Sequence, residues 1–266
     1  MLMKKITVLF FCALPIMSFA QDRSFGQLYS AHLLEKGSLE LEFWHTSRFG
    51  HEGQLYHGID QRFKVEAGLG KRIQTALYFN RFQNTFSNPL NEMDHNGEIG
   101  FSNEWKVGLT KPESSFRMAA YAEFSLRGNV LELETKFIAD KSWKKNLLAC
   151  NLSCRLDEVM HREYGENHLE TEATPLELDL GFMHQFGSCV GLGMELRNNN
   201  SVVHGHWENS VLYAGPTINY HQEHWFILAN YLPQLANLHR TANYPGKKVL
   251  NVRERSEARI MIGFTL

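Results

Sequence analysis

From residue 38 to its C terminus the chain keeps one pattern. Apolar side chains fall on one parity, and charged and polar ones fall on the other. In "SLELEFWHTSRF", residues 38–49, Leu39, Leu41 and Phe43 alternate with Glu40, Glu42 and Trp44. Successive side chains of a β-strand point to opposite faces, so such a stretch reads as a strand with one greasy face and one charged face. The same reading applies at 55–69, 72–82, 98–109, 116–127, 131–139, 148–156, 176–182, 190–197 and 258–266, with less clear strands at 208–220 and 222–231. Pro216 weakens the first of these two, because proline cannot donate to a ladder.

About twelve strands result, an even number, as closed bacterial barrels have. Connections alternate in length. Those at Gly68–Arg72, Thr110–Ser115, Ala139–Trp143, Gln185–Ser188 and Asn219–His224 are short. Those at Asn84–Gly97, Asp157–Thr174, Arg197–Glu208 and Tyr231–Glu254 are longer and polar, whereas Arg127–Asn129 and Gly50–Gly53 break the rule. A soluble sandwich also alternates, with its apolar parity inside. Two features favour a barrel instead. Charges of both signs crowd one parity, as at Asp60, Arg62, Lys64 and Glu66, which suits a confined lumen. Aromatics near strand ends (Phe49, Phe82, Trp105, Phe182, Trp225) read as interfacial girdles. An ionised Lys or Arg facing lipid costs roughly 2–4 kcal/mol at mid-bilayer, so a whole charged parity must face inward. Backbone groups in lipid must all be paired, so the sheet must close. The fold expected is an all-β, antiparallel, up-and-down transmembrane β-barrel with both termini in the periplasm.

The N terminus supplies the export route. Lys4 and Lys5, the apolar run Ile6–Met17 and Ser18-Phe19-Ala20 form a signal peptide over residues 1–20, leaving 21–266 as one barrel domain. The run is shorter than the roughly 18–20 residues a spanning helix needs. Three cysteines remain after it, Cys150, Cys154 and Cys189. An odd count argues against a disulfide framework. A net charge of -2 with no strong basic patch excludes a nucleic-acid partner.

The stretch "GQLYSAHLLEKGSLELEFWHTSRFG…DQRFKVEAGLGKRIQTALYFN" resembles a family of uncharacterised bacterial outer-membrane β-barrel proteins. The likeness lies in an aromatic-rich start, a "KG" turn, a first strand of alternating Glu and aromatics, and the hairpin Arg62–Asn80 with Val65-Glu66-Ala67-Gly68 at its turn. It spans about residues 26–82 and implies the barrel but no activity. The end, "RIMIGFTL", is similar to the closing strand that outer-membrane assembly machinery recognises, with Leu266 where an aromatic is usual and Phe264 to serve for it.

The polar parities give the candidate lumen residues: Glu40, Glu42, Asp60, Arg62, Lys64, Tyr78, Glu104, Lys106, Arg117, Tyr121, Glu123, Glu132, Glu134, Arg155, Glu177, Asp179, Glu195 and Arg259. Such a ring selects small polar solutes by size and field if open. The same charges plug the interior if they simply pair. The functional expectation is therefore a narrow channel for a small polar solute, with a plugged structural or adhesive barrel as one alternative. The other is a lipid hydrolase. His45 and Ser47 share the outward face near a strand end, similar to the His-x-Ser pair of outer-membrane phospholipases. Arg48 stands where that enzyme has Asn, and no neighbouring residue supplies a third group. His204, His206 and Glu208 do not make a closed metal site. The acidic segment at Asp157, Glu158, Glu163, Glu166, Glu170 and Glu172 reads as a solvated loop. No cofactor and no metal are expected. The partners expected are outer-membrane lipid and lipopolysaccharide, the assembly machinery, and a small polar solute.

Overall fold

The computed structural model describes residues 23–87, 92–163 and 166–266, with the backbone alone for 161–163, 166–170 and 172. The signal segment expected at 1–20 lies outside these. The strands are β1 (Leu39–Phe49), β2 (Tyr56–Gly70), β3 (Ile73–Ser87), β4 (Met93–Gly108), β5 (Phe116–Arg127), β6 (Val130–Trp143), β7 (Asn146–Glu163), β8 (Glu166–Ala173), β9 (Leu176–Phe186), β10 (Val190–Val203), β11 (His206–His221), β12 (Trp225–His239) and β13 (Ser256–Thr265). All pair antiparallel with their neighbours, and β13 closes on β1 from Glu40↔Thr265 to Phe49↔Ser256. Both β8 and β9 pair with β7, so they are two segments of one stave broken at Thr174–Pro175. The chain is thus a closed barrel of twelve staves.

The uncertain strands at 208–220 and 222–231 are present as β11 and β12. Pro216 is accommodated because the β11–β12 ladder is interrupted between Tyr213↔Gln234 and Thr217↔Asn230. No partner there needs the missing N–H.

The long polar connections are corrected to strands. β3 and β4 pair out to Ser87↔Met93, β7 and β8 to Glu163↔Glu166, and β10 and β11 to Val203↔His206. Only Arg240–Arg255, between β12 and β13, remains a long non-strand segment at that end. Hydrogen-bonded pairing continues past the apolar band, where both faces meet water, so the period-two hydrophobic signal stops while the ladder does not.

The exterior carries Leu39, Phe43, Phe63, Leu77, Phe79, Phe101, Phe124, Phe137 and Leu152, all exposed. Trp105, Trp143, Phe182, Phe186 and Trp225 ring the end with the short turns. In water this surface would be an aggregation liability, while in lipid it is a solvated one. Phe82 does not belong to a girdle. It shares the parity of Tyr78 and Asn80, is half-buried, and lies beneath the Arg127 guanidinium at 4.9 Å.

Residues 23–36 precede the first strand, and 23–34 run inside the barrel. Phe25 and Leu28 are fully buried. Wall glycines make room for them. A Cβ on Gly181 would lie 2.7 Å from the Phe25 ring, one on Gly108 2.5 Å from Leu33, and one on Gly68 2.0 Å from the Glu35 carbonyl oxygen.

Candidate functional site

An extended segment without a strand partner must satisfy its backbone groups some other way. Among the described residues, no backbone–backbone hydrogen bond ties residues 23–34 to the wall. Wall side chains do the work. The Glu195 carboxylate accepts from Gly26 N at 2.8 Å and Gln27 N at 2.7 Å. Asn151 accepts from Tyr29 N at 2.6 Å and donates to Tyr29 O at 2.9 Å. Asp140 accepts from Ala31 N at 2.6 Å, and Gln74 accepts from Leu34 N at 2.8 Å. Arg259 donates to Gly26 O at 2.6 Å.

Below the middle of this segment, toward the short turns, the lumen is filled. Lys64 is fully buried against Glu66, with Glu42 at 3.8 Å and Glu104 at 4.0 Å. Arg23 from the segment adds a second cation, 3.6 Å from Glu42 and stacked 3.6 Å from the Tyr29 ring centroid and 4.5 Å from that of Trp44. Tyr29, Trp44, Tyr78 and Tyr121 form one buried cluster, with Trp44 donating to Glu42 at 2.6 Å, Tyr78 to Glu104 and Tyr121 to Glu123. Opposite charges this close and this dry are held only because each is paired. The oxygens of Glu40, Glu42 and Glu66 lie within 4.8 Å of one another. Lys64 pairs with two of these carboxylates, so the positive charge a metal would supply is already present.

Above Tyr29, toward the long hairpins, the lumen opens into a cup of about 150 Å³ with Gln27, Tyr29 and Trp44 at its floor. Strand register builds its walls. Arg48 on β1 stands opposite Glu257 on β13 and pairs with it at 3.0 Å, and also with Asp60 on β2. Thr46 stands opposite Arg259 and accepts from it at 2.8 Å. Arg197 on β10 holds Glu177 at 2.7 Å and reaches Glu257 at 3.5 Å. Arg62 pairs with Glu123 at 3.7 Å, Lys136 with Glu134 at 2.8 Å, and Arg155 with Asp157 at 2.6 Å.

The remaining lumen candidates are distributed as follows. Glu40, Lys106, Asp179 and Glu195 are buried. Arg117 pairs with Asp140 at 2.8 Å, and Glu132 with Arg127 at 3.2 Å. Asp60, Arg62, Glu134, Arg155, Glu177 and Arg259 come together at the cup, as do Arg48, Lys136 and Arg197, which the candidate list omits. Lys136 and Arg197 lie on polar parities, so their signal was present. Gln27 and Tyr29 at the floor, and Arg23 below it, have no periodicity to reveal them.

On the outer wall His45 Nε2 lies 3.2 Å from Ser47 Oγ. A third group does exist, correcting the expectation from local sequence: Gln61, directly across the ladder from His45, places Nε2 at 3.5 Å from His45 Nδ1. Arg81 donates to Gln61 Oε1 at 3.1 Å, which fixes the amide with its N–H toward the imidazole. His45 Nδ1 thus faces an amide N–H, whereas a triad orients its histidine with an acceptor at that nitrogen. The three residue types of a triad are present with the amide turned the wrong way round.

The metal candidates also separate. His204 sits in the β10–β11 turn with φ 47°, and Glu208 accepts from Asn243 at 3.1 Å. In the acidic segment Asp157 is paired with Arg155, and Glu158 accepts from Thr171 at 2.6 Å. The side chains of Glu163, Glu166, Glu170 and Glu172 lie outside the described ones.

A family of unknown function, DUF6662, matches residues 106–266, more than half of the chain. The chain belongs to this family. No curated protein sequence matches it. Among solved structures it is similar to the COG4313 outer membrane channel from Pseudomonas putida F1, at TM-score 0.64 and 7% identity over 89% of this chain and 98% of that one. It is similar to the β domain of the Bordetella autotransporter BrkA at TM-score 0.56 and 8% identity, over 87% of this chain and 100% of that one. It is also similar to the NanC porin at TM-score 0.51 and 12% identity, over 85% and 100%. These likenesses share the outer-membrane barrel fold. With the apolar exterior and the closed ladder, they place the chain in the bacterial outer membrane.

Proposed function

We propose that this member of the family is an outer-membrane channel for small polar solutes, closed by its own N-terminal segment and conducting when that segment leaves. The long hairpins then face the cell exterior, and the short turns and both termini face the periplasm. One observation carries the reading. Every stave brings at least one charged or polar side chain into the lumen, yet among the described residues the segment blocking it shares no ladder with the wall and is seated through wall side chains. A wall stave cannot leave without breaking a ladder in lipid, whereas a segment held by side chains exchanges each bond for water.

The test is planar-bilayer recording of the full chain beside a variant lacking residues 23–34. The full chain should show brief, infrequent openings and the truncated chain a steady current. A truncated barrel that folds, inserts and passes no ions would overturn the proposal. Arg23 contributes its charge to the Glu42–Lys64 cluster, so folding of the variant is checked by circular dichroism before recording.

A further inference from the structure

The cup above the N-terminal floor is unbalanced at its surface. Arg48, Arg62, Lys136, Arg155, Arg197 and Arg259 face it against three carboxylates, those of Asp60, Glu134 and Glu177. The other carboxylates that neutralise these cations sit behind them. Glu257, which serves three of the arginines, has a side chain only 2% exposed, and Glu123 only 5%, whereas Arg155 is 41% exposed and Arg48 and Arg62 are each 24%. A solute in the cup therefore meets six cationic side chains against three carboxylates. Each guanidinium carries five N–H donors, and its carboxylate takes one or two of them.

We propose that the cup binds a small monoanionic polyol, a sugar acid in chemical class, one molecule per barrel. This rests on the reading of the barrel as a solute channel and names what that channel takes. Three features select the class. Surplus donors favour a carboxylate over a neutral sugar, which leaves them unmatched. Asp60, Glu134 and Glu177 accept from hydroxyls and repel a second or third negative charge. Ser153 Oγ, buried and lining the cup, has no hydrogen-bond partner among the described residues and is placed to meet one more hydroxyl. The volume of about 150 Å³ seats one sugar ring, and any further rings would project from the open mouth.

The full chain in detergent micelles is titrated calorimetrically with sodium glucuronate, glucose and sodium citrate at constant ionic strength. Glucuronate should bind at least about tenfold more tightly than either, the equivalent of one charge-assisted hydrogen bond. Arg62→Gln, which also takes the cation from Glu123, should weaken glucuronate about tenfold in a barrel still folded by circular dichroism at the titration temperature, and Arg62→Lys should recover part of the loss. Glucose binding as tightly as glucuronate would remove the role of charge. Citrate binding more tightly would make the cup a general anion trap and overturn the class. Calorimetry and current read different claims. Binding without conduction sinks the channel and spares the site, while conduction without binding does the reverse.

Discussion

The seat of the N-terminal segment can be loosened at one residue. Glu195 is buried, and its two oxygens accept from the backbone of Gly26 and Gln27 at 2.8 and 2.7 Å. Asn230 donates to the same carboxylate at 3.2 Å. Glu195→Gln removes the charge and turns one acceptor into a donor that faces an N–H. Hydrogen bonds to a charged group are worth about 1.5–3 kcal/mol each, and one neutral bond of about 1 kcal/mol survives. Allowing for water entering the lumen, a net loss of about 2 kcal/mol is reasonable, which raises the open-to-closed ratio roughly 30-fold. The assay is open probability in planar bilayers at fixed voltage, measured in the full chain and in the variant lacking residues 23–34. Glu195→Gln should raise open probability in the first background and change nothing in the second. That cycle isolates the bond to the segment from any effect on the wall. An equal change in both backgrounds, or no change in either, would refute the view that these two bonds hold the barrel shut.

Four further outcomes follow from the same geometry. Gly68→Val places a side chain against the Glu35 carbonyl, where even a Cβ would come within 2.0 Å, so protease sensitivity of residues 23–36 should rise while the barrel melts normally. Leu152→Arg, on the lipid face between Phe137 and Leu178, should destabilise the barrel by about 2–4 kcal/mol in a urea titration from vesicles, and a value near zero would deny the lipid contact. His51, in the β1–β2 turn, stacks on Tyr56 at 3.7 Å, and burial holds it below its ordinary value of 6.5, against an opposing pull from Glu254. The opened turn therefore binds the proton more readily than the closed one, and protection factors at residues 50–56, that is exchange rates divided into the intrinsic rate at each pH, should fall as pH drops below 6.5 and stay flat above it. Phospholipid esters in mixed micelles should survive incubation with the protein, because Gln61 turns an N–H and not an acceptor toward His45 Nδ1, and Ser47-dependent hydrolysis would refute that reading.

How much of this could be read from residues alone depends on where partners sit. The staves were legible because each carries its own evidence: Leu39, Leu41 and Phe43 show the lipid face of β1 without reference to any other strand. The ends of the long hairpins were not, since past the apolar band both faces are wet and the Asp157–Thr174 stretch looks like a loop while pairing as β7 and β8. Polar parities placed Arg62, Glu177 and Arg259 in the lumen, but which of them share a cup depends on closure of β13 against β1. The N-terminal segment was invisible for a different reason. The groups that seat it, from Gln74 to Arg259, are distant in sequence and contribute side chains to an aperiodic stretch. Gln61 escaped notice likewise, being adjacent to His45 only across the ladder.

The two kinds of backbone satisfaction in this molecule lead to different dynamics. On the wall, backbone groups outside the interruption at Pro216 are paired in ladders bordered by lipid, where losing a partner leaves a polar group in hydrocarbon at a cost of several kcal/mol. No single stave can therefore open without its neighbours. Within the lumen, the bonds of Tyr29 to Asn151 and of Ala31 to Asp140 are buried beneath the cup, and their groups meet water once the segment leaves. Their loss is compensated by hydration, so each contributes only about 0.5–1.5 kcal/mol net, or somewhat more where the acceptor is charged. Ordering the segment costs about 1–2 kcal/mol per residue in backbone entropy, which takes back much of that gain. Burial of Phe25 and Leu28 adds about 1.5–3 kcal/mol for each side chain. The closed state thus rests on terms of similar size and opposite sign, and a single buried carboxylate such as Glu195 is enough to shift it, while the wall around it stays closed.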